Sequence, residues 1–181
     1  MKQRRITAIV AALALIAMLG APPWSMANEA FTAMLRGFQE VPPISTTGSG
    51  TFQATLSDDD TSIAYELTYE GLEDDVTQAH IHFGQFHVSG NIVAFLCSNL
   101  DPQPSDVPEG TPACPTRAGT VTGTLTASNI INRASAQGIT TGELAEVLDA
   151  MRRGVTYANV HSKTFTSGEI RGQIVKIPGT D

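Results

Sequence analysis

The stretch GTFQATLSDDDTSIAYELTYEG, residues 50–71, decides the fold class of this 181-residue chain. Apolar side chains occupy every second position in each half, beginning at Phe52 and at Ile63, with polar residues between them. A period of two is typical of a β-strand with one buried face. The run SDDDTS between the halves is rich in turn-forming residues. The stretch therefore predicts two strands joined by a turn.

Six further segments show the same alternation, and Gly, Asp, Ser and Pro residues separate them. These segments are residues 30–37, 78–84, 91–97, 118–126, 155–162 and 168–177. About eight short strands with turns between them are typical of an antiparallel fold. We predict a mostly β chain, a Greek-key-like β-sandwich or barrel with one or two connecting helices.

One segment, TTGELAEVLDAMRRG at residues 140–154, has a helical pattern instead. Thr140 and Glu143 have capping-box spacing, and Gly154 suits a left-handed helix end. Its apolar residues follow the i, i+3, i+4, i+7 spacing of a helix with one buried face: Leu144, Val147, Leu148 and Met151. A shorter helix is predicted just before it, beginning at Ser128.

The first 27 residues are predicted to be a signal peptide. A basic start, MKQRR, precedes the apolar run ITAIVAALALIAMLG, and the segment ends in the small-x-small pattern Ser25-Met26-Ala27. The apolar run is shorter than the 18 or more residues that a membrane span prefers. We expect cleavage after Ala27, a secreted or periplasmic mature chain of residues 28–181, and no transmembrane segment after cleavage.

The mature chain is strongly acidic. Once Lys2, Arg4 and Arg5 of the leader are removed, 8 basic and 18 acidic residues remain, a net charge of −10. Such a surface repels phosphate backbones, so nucleic acid is excluded as a partner.

Two cysteines, Cys97 and Cys114, flank a Pro-rich, Asp-rich segment that is predicted to be a surface loop. In an exported protein two cysteines usually form a disulfide. Closing a loop of this length stabilises the fold by roughly 3 kcal/mol in the chain-entropy model. Coordination of a metal by the two thiolates is the alternative.

The four histidines suggest a metal site. His80 and His82 are two residues apart in a predicted strand, so their side chains share a face. A third ligand must come from another strand, and His161 is the best candidate, while His87 could fold back as a fourth. All-nitrogen coordination in an exported protein favours copper or zinc. A hydrogen-bonded structural cluster without metal is the alternative.

Alternation brings further polar side chains to the same region. Tyr157 and Asn159 share a face with His161, and Glu169 shares a face with Arg171 in the next predicted strand. A short connection predicts a hairpin between these strands. If their apolar sets pack on one core, their polar sets lie together on the other face. Glu169 and Arg171 are then placed to orient the imidazoles.

Four segments in this order resemble the CHRD domain, which is repeated in chordin and occurs singly in exported bacterial proteins. They are GFQEVPPISTTGSGTF (residues 37–52), LTYEGLEDDVTQAHIHFG (67–84), GTLTASNI (123–130) and GVTYANVHSKTFTSGEIRGQI (154–174). The resemblance covers about residues 31–174 and implies one compact, mostly β extracellular domain. It implies no established catalytic activity.

The recurring polar positions of that family correspond to eight residues of this chain. They are Glu40, His80, His82, Tyr157, Asn159, His161, Glu169 and Arg171. We expect Glu40 to face the histidines together with the four polar residues of the last two strands.

Two functions follow from these observations. The first is a secreted or periplasmic, non-catalytic binding or scaffold module with a histidine metal site. Its partner would be an unidentified protein or extracellular ligand. The second is a copper- or zinc-binding protein with superoxide-dismutase-like redox activity, because the His-x-His strand is locally similar to copper/zinc superoxide dismutase. The chain has no Gly-x-Ser-x-Gly or His-Glu-x-x-His motif, which favours the first function.

Overall fold

The computed structural model describes residues 28–180, which form nine β-strands and one α-helix, together with short 3-10 turns. The strands are β1 (Ala30–Arg36), β2 (Ser49–Leu56), β3 (Ser62–Glu70), β4 (Val76–Phe83), β5 (Asn91–Ser98), β6 (Gly119–Thr126), β7 (Thr156–Ser162), β8 (Ile170–Gln173) and β9 (Val175–Lys176). The helix α1 spans Leu144–Arg152. The predicted signal peptide lies outside the described residues, and its cleavage stays a prediction.

All of these strands belong to one antiparallel sheet. Their order is β5-β4-β7-β8-β1-β2-β3-β6, and β9 pairs with β1 outside that path. The sheet curls until its two ends approach, and the Tyr65 hydroxyl of β3 donates a hydrogen bond of 2.6 Å to the Leu96 carbonyl of β5. The result is a nearly closed, barrel-like sheet, which confirms the predicted mostly β, antiparallel fold.

The stretch that predicted the fold forms the β2–β3 hairpin. Phe52 lies opposite Leu67 and Ala54 lies opposite Tyr65. These apolar positions are buried and the positions between them are mainly exposed, so one face of the hairpin is in water. The buried face adds to a single apolar core inside the curled sheet.

The strands β4, β5 and β7 differ because both of their faces are largely buried. Every residue of β7 is buried. On one face, Ile81 and Val160 join the apolar core. On the other face the side chains of β4 and β7 are polar, and loops rather than solvent cover them. Strands buried on both faces are usually apolar throughout, so this covered polar face is the unusual part of the molecule.

The predicted helix forms, but it begins later than the capping pattern indicates. Helix α1 starts at Leu144, and a turn precedes it, although the Glu143 carboxylate accepts a hydrogen bond of 2.6 Å from the Thr140 amide. Gly154 follows the helix with φ +67°, the left-handed conformation expected of it. The segment that starts at Ser128 forms 3-10 turns, Ala127–Asn129 and Asn132–Gln137, instead of a second α-helix.

The predicted disulfide between Cys97 and Cys114 is present, with Cα atoms 5.1 Å apart. It attaches the Pro-rich loop to the end of β5. Asn99 adds to this attachment, because its side-chain amide donates to the Val76 and Cys114 carbonyls and accepts from the Cys114 amide. Within residues 28–180, no helix has the length and apolar character that crossing a membrane requires.

Candidate metal centre

The candidate site is built on β4, which pairs with β5 on one side and β7 on the other. His80 lies opposite Asn159 of β7, and His82 lies opposite Tyr157. The pairing of β4 with β5 shifts register on the N-terminal side of each histidine, before His80 and before His82. Bulges of this kind re-aim side chains. Here one register shift directly precedes each of the two histidines of the His-x-His strand.

Three imidazoles converge on the covered polar face. One ring nitrogen each from His80, His82 and His161 lies within 4.8 Å of the others. The closest pair is His80 Nδ1 and His161 Nε2, 3.2 Å apart. The predicted contribution of His161 from a second strand thus agrees with the geometry, and the three rings form a group that can hold a metal ion.

Hydrogen bonds orient two of the rings and fix their protons. His82 Nδ1 is 2.9 Å from the Gly90 carbonyl oxygen, and His161 Nδ1 is 3.0 Å from the Thr166 carbonyl oxygen. A carbonyl oxygen only accepts, so each Nδ1 carries the proton. In each neutral ring the lone pair is therefore on Nε2. A backbone carbonyl on the other ring nitrogen is the usual support of a metal-ligating histidine.

All three imidazoles are neutral at neutral pH. Burial lowers the pKa of His82 to about 3 and the pKa of His161 to about 4. Burial also lowers the pKa of His80 well below its usual value, and the neighbouring His161 and His82 lower it further. Only a neutral imidazole has a lone pair for a metal. Burial thus keeps the three rings in the neutral form that can ligate a metal.

Aromatic rings enclose the cluster. The Tyr157 ring stacks on His82 with centroids 4.7 Å apart, and the Phe95 and His80 rings meet edge to face with centroids 4.5 Å apart. The guanidinium of Arg171 lies 4.3 Å from the Tyr157 centroid, and that of Arg133 lies 5.1 Å from the Phe95 centroid. These contacts keep the imidazoles in a low-dielectric environment, which is the cause of their lowered pKa values.

A buried ion pair lies beside the cluster. Arg171 Nε donates to Glu40 Oε2 at 2.8 Å, and both side chains are at most 7% exposed. Asn159 donates to Glu40 Oε1 at 2.6 Å and to the Ile170 carbonyl at 2.9 Å. Burial raises the pKa of Glu40, and the Arg171 charge partly offsets that rise. The charge of Glu40 is therefore balanced by Arg171 and is not directed at the histidines.

Three loops cover the site, and each is attached to a side chain of the polar face. The loop after β4 is attached through the Gly90 carbonyl to His82. The β7–β8 turn is attached through the Thr166 carbonyl to His161. The segment after β1 is attached through Glu40 to Arg171. As a result His80 is 0%, His161 is 6% and His82 is 7% exposed.

Two residues predicted for the site have other surroundings. Glu169 is buried, but its Oε1 accepts from the Thr46 hydroxyl and the Glu73 amide, both at 2.8 Å. His87 is exposed, has φ +62° and stacks on Phe86 at 3.9 Å. It does not belong to the group of three ring nitrogens. A ligand role for His87 and an orienting role for Glu169 stay predictions.

Sequence reasoning did not find most of the other groups that surround the imidazoles. Gly90 and Thr166 act through backbone carbonyls, which every residue type has, so no sequence signal marks them. Phe95 reaches the site because β5 pairs with β4. Arg133 lies in the 3-10 turn Asn132–Gln137 and stacks on Phe95. Gln78 could have been found, because strand alternation puts it on the face of His80 and His82.

Comparisons with known proteins agree with this structure. A family model described as the CHRD domain matches residues 31–174, which is most of the chain. Searches of the curated proteins and of the solved structures gave no match. The family match includes strands β2 to β8, all of β1 except its first residue, and the three clustered histidines, and it ends just before β9. The chain therefore belongs to the CHRD domain family.

Proposed function

We propose that this chain is an exported, non-catalytic CHRD module whose ligand is a copper or zinc ion held by His80, His82 and His161. One observation carries the proposal. Three buried, neutral imidazoles direct ring nitrogens at one point, and two of them are held there by backbone carbonyls. The buried His82 Nε2 has no hydrogen-bond partner within residues 28–180. A purely structural, hydrogen-bonded cluster gives no reason for this unpaired nitrogen, whereas a metal ion would use its lone pair.

The donor set narrows the choice of ion. Imidazole nitrogens suit copper and zinc, and calcium and magnesium prefer oxygen ligands. The ligands add no negative charge, and the buried carboxylate of Glu40 is paired with Arg171. The cost of burying an ion rises with the square of its charge, and in real proteins it is several kcal/mol for a single charge. We therefore expect monovalent copper to bind more tightly than divalent zinc.

Metal binding is tested on chain purified from an exporting host and stripped with a chelator. Zinc, and copper kept reduced by ascorbate, are titrated separately, and bound metal is measured after dialysis. We expect one ion per chain. His82→Ala and His161→Ala should each abolish stoichiometric binding. The matched control is His87→Ala, which removes an exposed histidine of the adjoining loop. A wild-type chain that retains no metal would refute the proposal.

Redox activity is a second candidate, because three protein ligands leave a fourth position for a reactant. The residues of the group supply three nitrogens, and no Cys, Asp or Glu in the described part of the chain joins them. Superoxide consumption by the copper-loaded chain, compared with the His82→Ala variant, tests this activity. If the copper-loaded wild-type chain consumes superoxide no faster than the variant, the redox activity is refuted and only the binding function remains.

A further inference from the structure

One face of β4 carries three buried side-chain atoms without a hydrogen-bond partner among residues 28–180. They are Gln78 Oε1, His80 Nε2 and His82 Nε2. Positions 78, 80 and 82 alternate, so their side chains share a face. A buried polar atom without a partner costs about 1–3 kcal/mol. The proposed ion accounts for His82 Nε2, but it leaves the other two atoms unexplained.

His80 differs from the other two ligands in the nitrogen that it directs at the cluster. His82 and His161 give Nδ1–H to a carbonyl and keep a lone pair on Nε2. His80 instead has Nδ1 3.2 Å from His161 Nε2. Since His161 Nε2 has a lone pair, His80 Nδ1 must donate to it in the metal-free protein. Without metal, His80 is therefore the Nδ1–H tautomer.

Ligation of an ion through His80 Nδ1 would require the other tautomer of this ring. His80 Nδ1 would then need a lone pair, so the ring proton would be on Nε2. Ligating histidines almost always donate this second N–H to a carboxylate, a carbonyl or a water. For His82 and His161 the acceptors are Gly90 and Thr166. His80 Nε2 has no such acceptor within hydrogen-bond distance in the described residues.

Gln78 has the unused acceptor. It lies opposite His161 on β7, and His80 lies opposite Asn159, so the continuous register puts Gln78 and His80 on one face. Alternate Cβ atoms on a strand are about 6–7 Å apart, a gap that a rotamer change or one water closes. Across β5, the Ser98 hydroxyl donates to Gln103 Oε1 at 2.7 Å and accepts from the Leu100 amide at 3.4 Å, and the Phe95 side chain has no acceptor.

We propose that Gln78 is a positioning residue for the metal site: its amide oxygen accepts the His80 Nε2 proton, directly or through one water, when an ion binds. The inference rests on the proposed function and names the residue that prepares the third ligand. The ring gains a proton at Nε2 and loses one at Nδ1, with water as the carrier, so ligation by His80 releases no net proton.

Gln78→Leu removes the acceptor, and Gln78→Glu keeps one. The matched control is Gln53→Leu, an exposed glutamine of β2. We expect Gln78→Leu to weaken zinc and monovalent copper binding by about 10–100-fold, the usual effect of losing such a partner. Gln78→Glu should restore the wild-type affinity, and Gln53→Leu should not change it. Unchanged circular dichroism of metal-free Gln78→Leu will show that the fold is intact.

Nitrogen-15 NMR of labelled histidines reports the tautomer of each ring. A metal-dependent change of tautomer is not expected if Gln78 only stabilises the fold. His80 should change from the Nδ1–H to the Nε2–H tautomer when zinc is added. The His82 and His161 rings should keep Nδ1–H. If wild type binds metal and Gln78→Leu binds equally tightly, or if His80 keeps its tautomer, the role of Gln78 is refuted and the metal site stands. If wild type binds no metal, the proposed function fails, and the role of Gln78 fails with it.

Discussion

Acid should destabilise the metal-free fold through the buried imidazoles. Burial lowers the pKa of His82 to about 3 and that of His161 to about 4, and it lowers the pKa of His80 well below the usual value of 6.5. Below pH 6.5 the unfolded chain binds protons on these rings and the folded chain does not. Their contribution to stability is therefore complete above about pH 6.5 and is lost as pH falls toward the folded pKa values.

The size of the effect follows from the pKa differences. Each ring that is protonated only in the unfolded chain changes stability by about 1.4 kcal/mol per pH unit. Integrated from neutral pH to pH 5, that is roughly 2 kcal/mol per ring, and about 6 kcal/mol for three rings. Domains of this size have free energies of unfolding of about 5–15 kcal/mol. The metal-free chain should therefore lose a large share of its free energy of unfolding between neutral pH and pH 5.

Urea unfolding followed by circular dichroism, with chelator present, measures this dependence between pH 7.5 and pH 5. Glu40 has the opposite sign, because burial raises its pKa, so a Glu40→Gln variant corrects for it. His82→Gln should reduce the slope by about one proton. The reasoning is refuted if the wild-type free energy of unfolding changes by less than about 1 kcal/mol over this range, or if His82→Gln keeps the wild-type slope.

Three further perturbations test separate parts of the structure. Glu40→Ala leaves the buried Arg171 without its partner and should cost about 3–5 kcal/mol in urea unfolding; a loss below about 1 kcal/mol would contradict burial of this pair. Replacing Cys97 and Cys114 by serine opens the loop that they close and should cost about 3 kcal/mol relative to the oxidised wild type, and the reduced wild type, as control, should lose a similar amount. His87→Ala should leave metal affinity unchanged, because the side chain is exposed and stacks on Phe86; a weaker site would restore His87 as a fourth ligand.

Local patterns in the sequence predicted most of the fold. Alternation identified the strands because one face of β2 and β3 is in water and the other is in the core. The apolar spacing of α1 identified its buried face, including Val147 and Met151. The start of the helix was less certain, because the Thr140–Glu143 contact also forms in the turn that precedes Leu144. The second predicted helix failed because residues after Ser128 form two 3-10 turns.

The candidate site was only partly predictable. Alternation put His80 and His82 on one face, and the β7–β8 hairpin put Asn159 opposite Arg171. Pairing of β4 with β7 brought His161 to the same face, and no short-range pattern encodes that pairing. Burial of the face depends on loops that are attached by backbone carbonyls, which the sequence does not mark. The lowered pKa values therefore could not be derived from the sequence.

Stability alone does not favour the polar face of β4 and β7 over an apolar one. A strand that is buried on both faces gains most from apolar residues, and replacing a buried ion pair such as Glu40–Arg171 with well-packed apolar residues is often neutral or stabilising. The chain instead buries three imidazoles whose burial makes the fold sensitive to acid, and it leaves His82 Nε2 without a partner in the described structure. A bound ion would use that lone pair and would stabilise the folded state in proportion to its affinity. Under the proposed function, ligand binding rather than folding is the physical reason for this arrangement of residues.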